Sequence, residues 1–168
     1  SNIKTVNVDF INSGDTEAEL NLRDASGLKT VNIDRITDNS AAANVTEMDA
    51  TVTTLSLNDA TRAGTVTFSH KEEVLTGTSE ELTFTANSAR AKALNLVEAG
   101  DGVADTGFYF ETVNVTTTGN NDFDAMTIQA NGREDLLLNQ VANTTTQDIN
   151  ITANGTVATG SLEINSFT

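Results

Sequence analysis

The chain contains no cysteine, no proline and no tryptophan, and its aromatic complement is seven phenylalanines and one tyrosine. Without cysteine there is no disulfide framework, no thiolate metal ligand and no thiol nucleophile, and the redox compartment cannot be read. A fold of this composition must hold by packing and ladder hydrogen bonds, or with help from ions. With aromatics at 5% of residues the core must be aliphatic, which suits narrow stacked sheets better than a bulky interior. Histidine occurs once, at His70. One histidine and no cysteine exclude a zinc site or a Cys–His dyad. Nothing around Phe68-Ser69-His70-Lys71 resembles a nucleophile elbow, so His70 is expected on the surface or in a loop. No apolar run approaches the roughly 20 residues of a transmembrane helix.

Cationic side chains are scarce too: 9 Lys and Arg stand against 24 Asp and Glu, for a formal net charge of −15. That balance disfavours nucleic acid and anionic lipid, both of which need clustered Lys and Arg. It favours a solvated acidic surface, or divalent cations that neutralise the carboxylates. The sequence opens at Ser1 with neither Met nor an apolar signal segment, which reads as a processed protein or a piece of a longer one.

What is present is repetition. Lys4-Thr5-Val6-Asn7-Val8 returns as Lys29-Thr30-Val31-Asn32-Ile33, and Thr54-Leu55-Ser56-Leu57 is a looser third copy. Leu82-Thr83-Phe84, Val113-Asn114-Val115 and Ile149-Asn150-Ile151 continue the series. Each alternates apolar and polar residues, the period of a half-buried strand. Each also has a partner: Val6 with Leu20, Val31 with Val45, Leu55 with Val66, Leu82 with Leu94, Val113 with Met126 and Ile149 with Leu162, all 11 to 14 residues on. A fixed strand pair with connections of variable length on one side is the signature of a stacked repeat. The small polar centres Asn7, Asn32, Ser56, Thr83, Asn114 and Asn150, and in the partner strands Asn21, Thr67, Asn95 and Thr127, are placed to face outward and form ladders from rung to rung.

Two stretches depart from the pattern. Ser88 to Leu94 combines an N-cap residue with strong helix formers, predicting a short helix. Arg133 to Val141, with Leu136-Leu137-Leu138, reads as a short helix or a third strand.

Calcium is the best site hypothesis. The segments 99–105 (with Asp101 and Asp105) and 120–124 (with Asp122 and Asp124) place carboxylates and amides on what read as flexible loops. Hard cations take six to eight oxygen ligands, although neither segment has EF-hand spacing. Paired carboxylates for glycoside hydrolysis carry no information among 24 acids, and sugar-gripping aromatics are scarce. Five Asn-x-Ser/Thr sequons, at Asn44, Asn114, Asn143, Asn150 and Asn154, are about what chance gives this composition.

The rungs Leu28 to Ile33, Val52 to Leu57 and Leu94 to Leu96 resemble the strand repeats of bacterial surface-layer (S-layer) proteins of the type I-secreted, calcium-dependent kind. The resemblance covers most of the chain in style. Of that family's Gly-Gly-x-Gly-x-Asp nonapeptides, only the fragment Gly100 to Asp105 is similar. It implies a calcium-dependent β-solenoid segment of a larger, exported lattice protein. The expected fold is therefore all-β, a parallel β-solenoid of about six coils in one elongated domain over 1–168, with an antiparallel β-sandwich as the alternative. The expected role is structural, extracellular and non-catalytic: a cell-surface module that self-assembles through lattice or filament contacts between copies, without nucleic acid or membrane insertion. The rivals are an adhesin or receptor-binding module contacting a cell-surface glycan or receptor through segments 99–109 and 130–147, and the outer domain of a flagellar-type filament subunit.

Overall fold

The computed structural model describes residues 3–11, 17–37, 42–71, 74–75, 80–98, 112–118, 121–130, 136–141, 148–153 and 162–167. Among them every regular element is a strand: β1 (Thr5–Phe10), β2 (Ala18–Asn21), β3 (Thr30–Ile36), β4 (Ala43–Met48), β5 (Thr54–Asn58), β6 (Thr61–His70), β7 (Glu81–Asn87), β8 (Arg90–Glu98), β9 (Thr112–Thr118), β10 (Asp122–Ala130), β11 (Leu136–Val141), β12 (Asp148–Ala153) and β13 (Leu162–Phe167). From β1 to β10 odd and even strands separate into two sheets, the even one continuing to β12, and β11 and β13 pair in a third, two-stranded sheet. One has the order β1-β3-β5-β7-β9, the other β12-β10-β8-β6-β4-β2, and all the pairings are parallel. The chain is a parallel β-solenoid; the antiparallel sandwich is excluded because each strand pairs with the strand two places along rather than with its chain neighbour.

The repeats set the register. Val6 lies beside Val31 and Val31 beside Leu55, as the near-identical sequences require. Alternation then makes each side chain of a column face the same way. Inward columns run Val6–Val31–Leu55–Phe84–Val115 in the first sheet and Leu20–Val45–Phe68–Leu96 in the second. From the second coil onward these residues are fully buried. At about 1.5–3 kcal/mol for each large apolar side chain removed from water, the columns are the main source of stability. Phe68 and Phe84 meet across the interior edge to face, with centroids 5.9 Å apart and an interplanar angle of 68°. These two rings thus sit where the two sheets approach.

The corners are tight. Asp59 with Ala60 joins β5 to β6, and Ser88 with Ala89 joins β7 to β8. Asp59 and Ser88 both take the left-handed conformation, with φ of 43° and 54°. Both alanines are fully buried. Past the corner, inward positions on β6 and β8 lie three apart instead of two: Ala63 then Val66, and Ala91 then Leu94. Each of these strands therefore kinks and covers two walls of the coil.

That geometry corrects the expected helix at Ser88 to Leu94. Arg90 to Leu94 belongs to β8, because buried Ala89 and Ala91 alternate with exposed Arg90 and Lys92, and adjacent strands supply the backbone partners. Helix propensity loses to a ladder already templated on both sides. Of the two readings of Arg133 to Val141, the strand holds over Leu136–Val141. The last pair also changes phase. Ile149 to Thr152 lies in β12, which extends the second sheet, while Leu162 to Ile164 lies in β13, which pairs with β11. Three successive leucines hide a period of two, so the sequence alone leaves helix and strand open there. By ladder-bonded strands there are five complete coils, with β12 a sixth rung of the second sheet, and β11 and β13 forming a separate pair, against about six expected.

Candidate functional site

Three surface features follow from this frame. The first is the outward polar array of the first sheet. Thr5, Thr30, Thr54 and Thr83 form one column, with Asn7, Asn32, Ser56 and Thr85 beside it. The Asn32 side-chain amide donates to Asn7 Oδ1 at 2.7 Å, and Ser56 Oγ donates to Asn32 Oδ1 at 2.8 Å. In the second sheet Asn95 Nδ2 donates to Thr67 Oγ1 at 3.4 Å. The expected ladder therefore forms across Asn7, Asn32 and Ser56. Beyond Ser56 the register differs by two residues, because Ser56 lies beside Thr85 and Thr83 beside Thr54. Asn114, in register with Thr83, instead donates to Glu81 Oε1, and Asn44 donates to Glu17 Oε1. Two of the five sequon asparagines thus have their amides engaged by carboxylates.

The second feature is a shallow recess at the β8–β10 corner, lined by Arg90, Ala91, Lys92, Asp122 and Asp124. Asp122 and Asp124 share one face of β10, two residues apart, with Phe123 buried between them. Segment 122–124 is strand rather than the flexible loop expected, since burial of Phe123 fixes the alternation. Arg90 lies opposite Asp122, and its guanidinium reaches the carboxylate at 3.3 Å. Lys92 lines the same recess. Asn121, read as a neighbouring amide ligand, is buried, and its Oδ1 accepts the Ala89 backbone N–H at 2.9 Å. It secures the corner.

Of the four expected calcium ligands, the structure brings Asp122 and Asp124 together and sets them against two cations. Two carboxylates facing two cations supply only part of the six to eight oxygens that a hard cation takes. Asp101 and Asp105 lie outside the described residues. Among the described residues no group of three or more His, Asp or Glu side chains gathers as metal ligands would. Segment 99–109 lies wholly outside them, as does most of 130–147.

His70 corrects a third expectation. It ends β6 fully buried, with Nε2 and the Val52 carbonyl oxygen 2.8 Å apart. Burial pushes its pKa down to about 4, against smaller upward effects of the Val52 contact and of the Asp49 charge. A neutral imidazole is thus built into the wall beside buried Met48, with which it is in register. The alternation Val66, Phe68, His70 was the available signal, as it places the ring on the inward face.

The third feature is the N-terminal end of the rod. Ile3, Val6, Leu22, Ala25 and Leu28 line an open hollow there, with Asn21, Asp24 and Ser26 on its polar side. Ile3 is 60% exposed. No helix among the described residues is long and apolar enough to cross a membrane. No family model, curated protein or solved structure matches this chain, and the solenoid is compatible with a surface-layer segment without identifying one.

Proposed function

We propose that this chain is a structural, non-catalytic segment of an extracellular surface layer that assembles through contacts between copies. The observation that carries the reading is the form of the described fold. A tightly filled aliphatic interior runs along stacked coils, and the outside presents ordered Thr, Asn and Ser ladders. Such a rod resists deformation along its length and offers repeated edges and faces. Calcium joins the reading through the acidic segments, with Asp101, Asp105, Asp122 and Asp124 as the proposed ligands. At Asp122 the ion would compete with Arg90.

Negative-stain electron microscopy of the purified chain, with millimolar calcium and with EDTA, tests the proposal. Ordered sheets or filaments are expected, more extensive with calcium. Dispersed single particles at every concentration in both conditions would overturn it.

A further inference from the structure

The second sheet ends in an open strand at both poles of the rod, and at the far pole the first is followed by the separate β11–β13 pair. At the N-terminal pole β1 and β2 are the outer strands of the first and second sheets. At the other pole β12 is the outer strand of the second sheet, and β13 follows β11, which packs beside β9 of the first. All these ladders are parallel, so both poles present open edges of the same two walls, running in the same direction. Open edges are templates for another strand.

The N-terminal pole also has unfinished packing. Val6, Val8 and Leu20 are only partly buried, whereas their register partners Val31, Ile33 and Val45 are fully buried. The difference is the coil that lies over the latter set. Because β1 and β3 have nearly the same sequence, the surface β1 turns outward is the one β3 offers to β1. What fits it is another parallel strand pair of this kind, filling the hollow between Ile3, Val6, Leu22 and Leu28.

Charge selects the polarity. Residues 1–37 carry four of the nine cationic side chains (Lys4, Arg23, Lys29 and Arg35) against six acids, whereas residues 93–168 carry one, Arg133, against ten of the 24 acids, so the first end is much the less acidic. Two acidic poles repel each other. Two N-terminal poles meeting about a two-fold axis would run their edge strands antiparallel and break every column.

We propose that a second copy of this chain docks head to tail, the β1 and β2 edges of one copy continuing the β13 and β12 edges of the next as a further parallel coil. A heterologous contact of this kind repeats by translation and builds a filament. The inference rests on the assembly reading above and names its contact surface.

The absence of cysteine makes the test direct. Singly substituted Asn7→Cys (β1) and Asn165→Cys (β13) chains are mixed and treated with a short bis-maleimide. Each variant is first checked for native circular dichroism, with Thr5→Cys and Glu163→Cys as the alternative pair. Head-to-tail docking gives a mixed 7–165 dimer well in excess of either homodimer, and a ladder of oligomers from the doubly substituted chain. Predominant 7–7 or 165–165 dimers overturn the polarity. Sedimentation velocity of the unsubstituted chain, over a hundredfold concentration range, should show growth from monomer to linear oligomers. Assembly that cross-links only through a mid-rod position such as Asn95→Cys overturns end-on docking while leaving the assembly reading in place. A monomer under all conditions, with and without calcium, overturns both.

Discussion

Protonating His70 should be costly to this fold. The ring is fully buried at the end of β6, and its pKa falls from the ordinary 6.5 to about 4 because burial penalises the imidazolium. The unfolded chain therefore binds a proton at higher pH than the folded one. Stability from the neutral ring is complete above about pH 6.5, declines as pH falls toward 4, and is constant below that. The gap corresponds to about 3 kcal/mol, a large fraction of the 5–15 kcal/mol that holds a typical domain together. Urea unfolding followed by circular dichroism at half-unit steps from pH 7.5 to 4 measures it. Carboxylate titration contributes in the same range, so the comparison is with His70→Gln, which does not titrate and keeps a donor for the Val52 carbonyl. The wild-type curve should lose about 3 kcal/mol more than the variant across the interval. The ring proton resonances of folded protein should titrate near pH 4. A folded-state midpoint at 6 or above, or parallel stability curves, would refute the burial argument.

Three other perturbations probe separate parts of the rod. Phe84→Ala should destabilise by about 3–5 kcal/mol in chemical denaturation, and a double-mutant cycle with Phe68→Ala should return a coupling near 1 kcal/mol; additivity would show that the rings do not meet. Asn121→Ala strips the buried Ala89 N–H of its acceptor and should cost roughly 1–3 kcal/mol, with hydrogen exchange at Ala89 accelerating; unchanged exchange would show that the corner does not depend on that side chain. If the acidic segments bind calcium, the melting temperature should rise from EDTA to millimolar calcium by an increment that follows RT ln(1 + [L]/Kd), and a flat response would remove calcium from the account.

Much of the architecture was legible because the solenoid writes its register into the chain. Thr5-Val6-Asn7-Val8 and Thr30-Val31-Asn32-Ile33 must lie side by side if each is to bury the same two residues, and they do. Legibility failed where the local signal and the neighbouring strand disagreed. Ala89 to Leu94 has helical propensity, yet a ladder on each side fixes it as a strand, and Leu136-Leu137-Leu138 shows no alternation. The polar ladder shifted by two residues at β7 because Leu55 lies beside Phe84 rather than Leu82, a choice visible only once the large ring has to be placed. His70 was misjudged by residue type, although its spacing from Phe68 places it inward. Of the expected metal ligands, the pairing of Asp122 and Asp124 followed from spacing on one strand. Their cationic neighbours Arg90 and Lys92, some 30 residues earlier, needed the coil register to bring them there.

The central claim is parallel, in-register stacking of successive coils. Thr5, Thr30, Thr54, Thr83 and Asn114 form one outward column in which each step is one strand spacing. Spin labels at Thr5→Cys and Asn114→Cys, measured by pulsed electron paramagnetic resonance, should give a narrow distance distribution near 19 Å between backbone positions, four steps of about 4.8 Å each. A broad distribution, or a separation beyond roughly 30 Å, would contradict a continuous stack.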